Sequence, residues 1–137
     1  MDAKWGDNRM KKYAFLFLTG GTVYPALEII CRGKTDISMA AAGGLCLCLI
    51  DRICNHDMKS SPISMKCFAG SGIITAVEFA TGLLVNVALK LNVWDYSAMP
   101  LNIMGQICVP FSMLWCLATL PALGLCGLCE RAPFLAK

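Results

Sequence analysis

The chain has 137 residues, 57% of them hydrophobic and 15% charged, and its mean hydropathy is +0.62. Soluble domains run at roughly 45–50% apolar and about 25% charged residues, so composition excludes an ordinary water-solvated globule, a disordered chain, a collagen and a coiled coil. The formal net charge is +3, but the charges are gathered between four long apolar stretches. The bilayer is therefore the expected solvent, with membrane lipid as surroundings and no nucleic-acid partner.

The expected fold is all-α, a bundle of four transmembrane helices forming a single membrane domain over residues 1–137. The first span covers about 13–31, a run of 19 residues whose only acid is Glu28. The second, about 37–54, is thin. Only 14 residues separate Asp36 from Asp51, so crossing requires Asp51 and Arg52 within the helix end or a locally thinned bilayer. The third, about 67–89, is full length with Glu78 at its middle. The fourth is expected at about 101–120, kinked at Pro110 and stopped near Pro121. Four strands cannot close a membrane barrel, and an open sheet edge in lipid leaves backbone groups unsatisfied.

Basic residues set the orientation. Lys4, Arg9, Lys11, Lys12, Arg52, Lys59, Lys66, Arg131 and Lys137 fall on one side, and Arg32, Lys34 and Lys90 on the other. The positive-inside bias then puts both termini in the cytoplasm. The N-terminal apolar run is too long for a signal peptide and no A-x-A site follows it.

The nine cysteines are an odd number, and most sit in apolar helices, where reduced thiols pack as small hydrophobes. Cys126 and Cys129 form one CxxC at the cytoplasmic end of span four, a weak redox or metal signal. His56, the only histidine, is expected in a polar loop. No metal, cofactor or catalytic residue is assigned. Gly33-Lys34-Thr35 imitates the end of a phosphate-binding loop, but Glu28 stands where its first glycine is required, so ATP is not expected to bind this chain.

The informative residues are polar ones inside the spans, since a mid-bilayer carboxylate costs about 2.5–3.5 kcal/mol on insertion scales. At about 100° per residue, Ser71, Thr75, Gly82 and Asn86 share the Glu78 face of span three. Tyr24, Pro25 and Arg32 share the Glu28 face of span one, with Glu28 and Arg32 spaced for an i,i+4 ion pair. Asn102 and Gln106 lie one turn apart if span four is helical there. With the N-terminus inside, Glu28, Arg32, Asp36, Asn86, the Trp94-Asp95-Tyr96-Ser97 run, Asn102 and Gln106 lie toward the outside as a polar funnel floored by Glu78. Ligand-binding candidates are therefore Glu78, Asn86, Gln106 and Asn102 within the funnel, and Glu28, Arg32, Tyr24, Trp94, Asp95 and Ser97 around it. No basic residue lies near Glu78 on its own span, so it must pair across helices, be protonated or face a polar cavity; leucine there should still fold. A faint repeat relates Glu28, Asp36-Ile37-Ser38 and Gly43-Gly44 to Glu78, Asp95-Tyr96-Ser97 and Gly105.

The runs Tyr24-Pro-Ala-Leu-Glu28, Ser38-Met39, Gly43-Gly44-Leu45-Cys46, Glu78-Phe-Ala-Thr-Gly82 with Asn86, Val93-Trp-Asp-Tyr-Ser97, Asn102 and Gly105-Gln-Ile-Cys108 resemble the small bacterial "putative ABC-transporter permease" proteins of the CmpB type, which have eukaryotic transmembrane relatives. The resemblance runs from Tyr13 to about Leu120, departing at Cys31 and Asp36-Ile37. It implies a multi-pass protein of the cell membrane with a transport role, and with that a separate ATPase subunit. Four short spans enclose little space, so transport calls for a homo-oligomer or a partner membrane subunit. The first functional reading is a transporter-like small-ligand binder with a polar pocket open to the extracytoplasmic side. The alternatives are a membrane-embedded enzyme, thiol-redox or lipid-modifying, and an accessory subunit of a membrane complex.

Overall fold

The computed structural model describes residues 2–132, with side chains from residue 6 onward. Lys137 and the Lys4 side chain, both counted in the charge bias, lie outside the described residues. Four long helices dominate: α1 (Asp2–Arg32), α2 (Ile37–Ile50), α3 (Ile63–Gly82) and α4 (Val109–Arg131). A π-helix, Asp51–Asp57, prolongs α2, and another, Leu83–Ala88, prolongs α3. With these extensions all four are long and apolar enough to cross a membrane. The thin second span thus gains its length by taking Asp51 and Arg52 into the helix. His56 lies in that π-helix rather than in a loop.

The fourth span departs from the sequence expectation. Residues expected to begin it form a two-stranded antiparallel hairpin, β1 (Asn102–Ile103) and β2 (Ile107–Cys108), in which Asn102 faces Cys108 and Ile103 faces Ile107. Its turn places Met104 at φ 54° and Gly105 at φ 71°, the left-handed region that glycine adopts without a Cβ penalty. The helix starts only at Val109, with Pro110 in its first turn, where the missing N–H is one that no helix bonds anyway. Pro121 lies inside α4, which runs on to Arg131.

Small residues set the packing. α1 lies along α2 because Gly20 and Gly43 let the backbones meet: a Cβ at Gly43 would strike Tyr24 Cβ and Gly20 O, the close approach typical of membrane helices. On the α3–α4 contact a Cβ at Gly70 would strike Thr119. Ser71 Oγ donates to Ser112 O at 2.6 Å and Thr75 Oγ1 lies 2.8 Å from Ser112 Oγ. α2 packs against α3, and α1 meets α4 through side chains, Leu16 clustering with Leu47, Cys126 and Cys129. Leu18, Phe68 and Leu117 point outward, which suits lipid.

The connection 89–108 and the adjoining helix ends form a cap over the Arg32 end of the bundle. The faint repeat has a local counterpart there. Asp36 Oδ2 accepts from Ser38 N (3.0 Å) and Oγ (2.6 Å), and Asp95 Oδ1 accepts from Ser97 N (2.8 Å) and Oγ (2.5 Å). In each case the serine hydroxyl and amide hold the carboxyl below the usual carboxylate range.

Candidate functional site

Glu78 lies ten residues before the end of the extended α3 helix at Ala88 and is 3% exposed. Its partners come from three other parts of the chain. Oε1 accepts from Tyr96 OH at 2.8 Å and meets Arg32 Nη2 at 3.2 Å, and Oε2 accepts from Trp115 Nε1 at 3.0 Å. Arg32 closes α1 and reaches back along it, so that Nη1 also meets Glu28 Oε1 at 2.7 Å. Of the three expectations for Glu78, pairing across helices is the one the structure contains. The two carboxylates of the faint repeat converge on one guanidinium.

The guanidinium is walled by rings. Arg32 Cζ lies 4.8 Å from the centre of Tyr96, 5.2 Å from Phe111 and 5.7 Å from Trp94, within the range of cation–π attraction. Phe111 stacks on Tyr96 at 4.8 Å. With all three charged groups ionised the centre carries one net negative charge. Glu28 Oε2 is buried and has no hydrogen-bond partner among the described residues, although a desolvated carboxylate oxygen ordinarily finds one.

The other sequence candidates fall into a neighbouring network. Asn86 Nδ2 donates to Gln106 Oε1 (2.8 Å), Asn86 Oδ1 accepts from Val93 N (2.7 Å), Gln106 Nε2 donates to Met104 O (3.0 Å) and Trp94 Nε1 donates to Gln106 O (2.9 Å). Asn102 Nδ2 donates to Met99 O (2.8 Å) and its Oδ1 accepts from Gly105 N (3.1 Å). Asn102 and Gln106 thus lie in the hairpin segment and not one helical turn apart. Asn86, Gln106, Asn102, Asp95 and Ser97 hold the cap in place. Glu28, Arg32, Glu78 and Tyr24 come together below it, with Trp94 touching both groups.

Sequence reasoning passed over Trp115 and Phe111, which sit one turn apart on α4. The usable signal was Pro110: read as a first-turn proline, it starts the helix at Val109 and aims both rings at the polar face of α3.

Two cavities occupy the gap between α1 and α4. One, about 310 Å³, is lined by Glu28 and Arg32 together with Tyr24, Leu27, Phe111, Trp115 and Ala118 among others. The second, about 410 Å³, shares Tyr24, Leu27, Trp115 and Ala118 and continues to Thr19, Ile50, Pro121 and Leu125. Together they make a cleft, apolar for most of its length, with the charge centre at one end. Tyr24 and Trp115 flank it with ring centres 5.7 Å apart.

A second polar cluster ties α1 to α4 at the opposite end of the bundle. Lys12 Nζ meets Asp51 Oδ2 at 2.9 Å and Glu130 Oε1 at 3.4 Å, and His56 Nε2 lies 3.4 Å from Glu130 Oε1 and 3.9 Å from Asp51 Oδ2. Asp51 is fully buried and also accepts from Asn55 Nδ2 at 3.1 Å. Asp51, His56 and Glu130 have the donor types of a metal site, but the Lys12 ammonium already supplies the positive charge among them. Cys126 and Cys129 are free thiols, 0% and 4% exposed.

No curated protein and no solved structure matches the chain. One family model does, over residues 39–127, a stretch running from the first turn of α2 through Glu78, the cap and Trp115 into α4, and leaving α1 outside. With four spanning helices and a match of that extent, the chain is a multi-pass membrane protein of the transporter-like family described as "Putative ABC-transporter type IV".

Proposed function

We propose that this protein resides in the cell membrane with both termini in the cytoplasm, and that it serves as the ligand-binding membrane part of a transporter-like assembly. Its ligand is a cation taken at the Glu28–Arg32–Glu78 centre from the extracytoplasmic side. One observation carries this reading: two buried carboxyl groups share a single guanidinium beside a cavity, so that with both ionised the centre carries one excess negative charge. Buried ionisable groups in a bilayer are expensive and mark ligand or ion pathways. The excess of basic residues at the Lys12 end supports the orientation. A homo-oligomer or a second membrane subunit completes the path, and a separate ATPase subunit supplies energy, as the family description suggests. The thiol-redox alternative is disfavoured by the burial of Cys126 and Cys129, which leaves a substrate thiol no access.

Because the Trp115 indole donates to Glu78, tryptophan fluorescence of the protein in lipid nanodiscs reads the centre directly. Butylammonium should give a saturable change, butyrate none, and Glu78→Gln should abolish the response. A response to butyrate alone, or an unchanged butylammonium response in Glu78→Gln, would overturn the proposal.

A further inference from the structure

The cleft between α1 and α4 has a shape that a small hydrophilic cation does not need. From Glu28 it follows α1 back to Thr19, nine residues or about 14 Å of helix at 1.5 Å per residue. Its walls over that length are Leu27, Val23, Leu47, Ile50, Ala118 and Leu125. The two cavities, about 310 and 410 Å³, lie within the roughly 300–1,000 Å³ typical of small-molecule sites. The cleft runs along two helices long and apolar enough to cross a membrane, α1 and α4, so its length lies at the depth of the acyl chains.

We propose that this cleft binds a single-chain amphiphile with a protonated primary amine head, which enters from the bilayer. The proposal rests on the cation-binding reading above and names its ligand class and route. The head is specified by charge and by an orphaned acceptor. With both carboxyls ionised the centre is negative by one charge, and Glu28 Oε2, buried in a residue 4% exposed, has no hydrogen-bond partner among the described residues. An ammonium supplies both a charge and up to three N–H donors, whereas a quaternary ammonium supplies only the charge. An anionic head would meet a carboxylate excess, since Arg32 is already shared by Glu28 and Glu78. The tail is specified by the apolar walls, which favour an alkyl chain over water. That gain is absent for a chain arriving from lipid, so the head decides which amphiphile stays.

The test uses the full-length protein in nanodiscs and dodecylamine carrying a photoreactive diazirine near the end of its chain. After irradiation, labelled residues are mapped by mass spectrometry. Label should concentrate on cleft residues such as Val23, Leu47 and Leu125. Unlabelled dodecylamine should compete, and dodecyltrimethylammonium and dodecyl sulfate should compete at least about tenfold less well, the loss of a charge-assisted hydrogen bond. Glu28→Gln should lower cleft labelling by a similar factor, and Ala118→Trp, which fills the cleft beside the centre, should abolish it. Label spread evenly over Leu18, Phe68 and Leu117, or cleft label indifferent to the head group, would overturn the proposal. In that case a retained butylammonium response would leave the cation centre standing, and loss of both responses would remove the two readings together.

Discussion

Replacing Glu78 separates a charge in use from a charge that merely holds helices together. The sequence alone makes Glu78 a solitary acid that leucine should replace without harm. In the structure three donors end on it, from Tyr96, Trp115 and Arg32. Leucine removes the acceptor and leaves the donors. Arg32 keeps Glu28, so the guanidinium is not stranded, but the Tyr96 hydroxyl and the Trp115 N–H lose their partner in a dry site at about 1–3 kcal/mol each. Glu78→Leu should therefore cost about 2–6 kcal/mol. Glutamine keeps one acceptor oxygen and turns its NH₂ toward one of the donors, so Glu78→Gln should cost about 1–3 kcal/mol. Unfolding in mixed detergent micelles, followed by helical circular dichroism, gives the ranking: wild type above Gln above Leu. A leucine variant as stable as wild type would refute the hydrogen-bond arrangement and restore the solitary acid. A glutamine variant that matches the leucine variant would show that the carboxylate charge, and not its acceptor geometry, holds the site.

Other outcomes follow from the same geometry. Lys12→Met strands the fully buried Asp51 carboxylate and should cost about 3–5 kcal/mol, the cost of removing one partner of a buried pair; the double variant with Asp51→Asn should recover most of it in the same unfolding assay. Gly43→Leu should split α1 from α2, because a Cβ there already strikes Tyr24 and the Gly20 carbonyl, whereas Gly72→Ala meets nothing within 4 Å and should be neutral or stabilising by up to about 1 kcal/mol. Asp95 is held below the ordinary carboxylate range by the Ser97 hydroxyl and amide, so its contribution to cap stability is present above the ordinary range and lost as pH falls through the depressed value. Carboxyl-carbon NMR titration should place Asp95 below the unperturbed value of about 3.9, and Ser97→Ala should move it upward. In topology mapping on a background without reactive native thiols, Ser97→Cys should react with an impermeant reagent from outside and Ser60→Cys should not; the reverse pattern would invert the proposed orientation.

The apolar runs made the four helices legible, because spanning length and scarcity of charge are read directly from composition along the chain. The Glu28–Arg32 pair was legible too, since i,i+4 spacing on one helix fixes neighbours. What could not be read was anything set by contacts distant in sequence. Arg32 and Glu78 are 46 residues apart, and no periodicity predicts their meeting. The cap was hidden for a different reason. Residues 101–109 carry no charge and join the following apolar run without a break, so a continuous helix was the natural expectation. The positive φ angles at Leu101, Met104 and Gly105, together with Pro110 in the first turn of α4, turn that stretch into a hairpin instead. Asn102 and Gln106 thereby change from a helix stripe into cap hydrogen bonds, and Trp115 moves into reach of Glu78. His56 was misplaced because Asn55-His56-Asp57 has loop composition; the π-helix carries it beside Asp51 and Glu130.

The central claim is that the cleft between α1 and α4 holds a ligand whose positive head rests at Glu28 and Glu78. A density map of the protein in nanodiscs containing dodecylamine tests it most directly. The account predicts elongated density along Tyr24, Leu27, Trp115 and Ala118, ending within hydrogen-bond distance of Glu28 Oε2. A cleft closed by contact between α1 and α4, or filled by a helix of a second subunit, would contradict it.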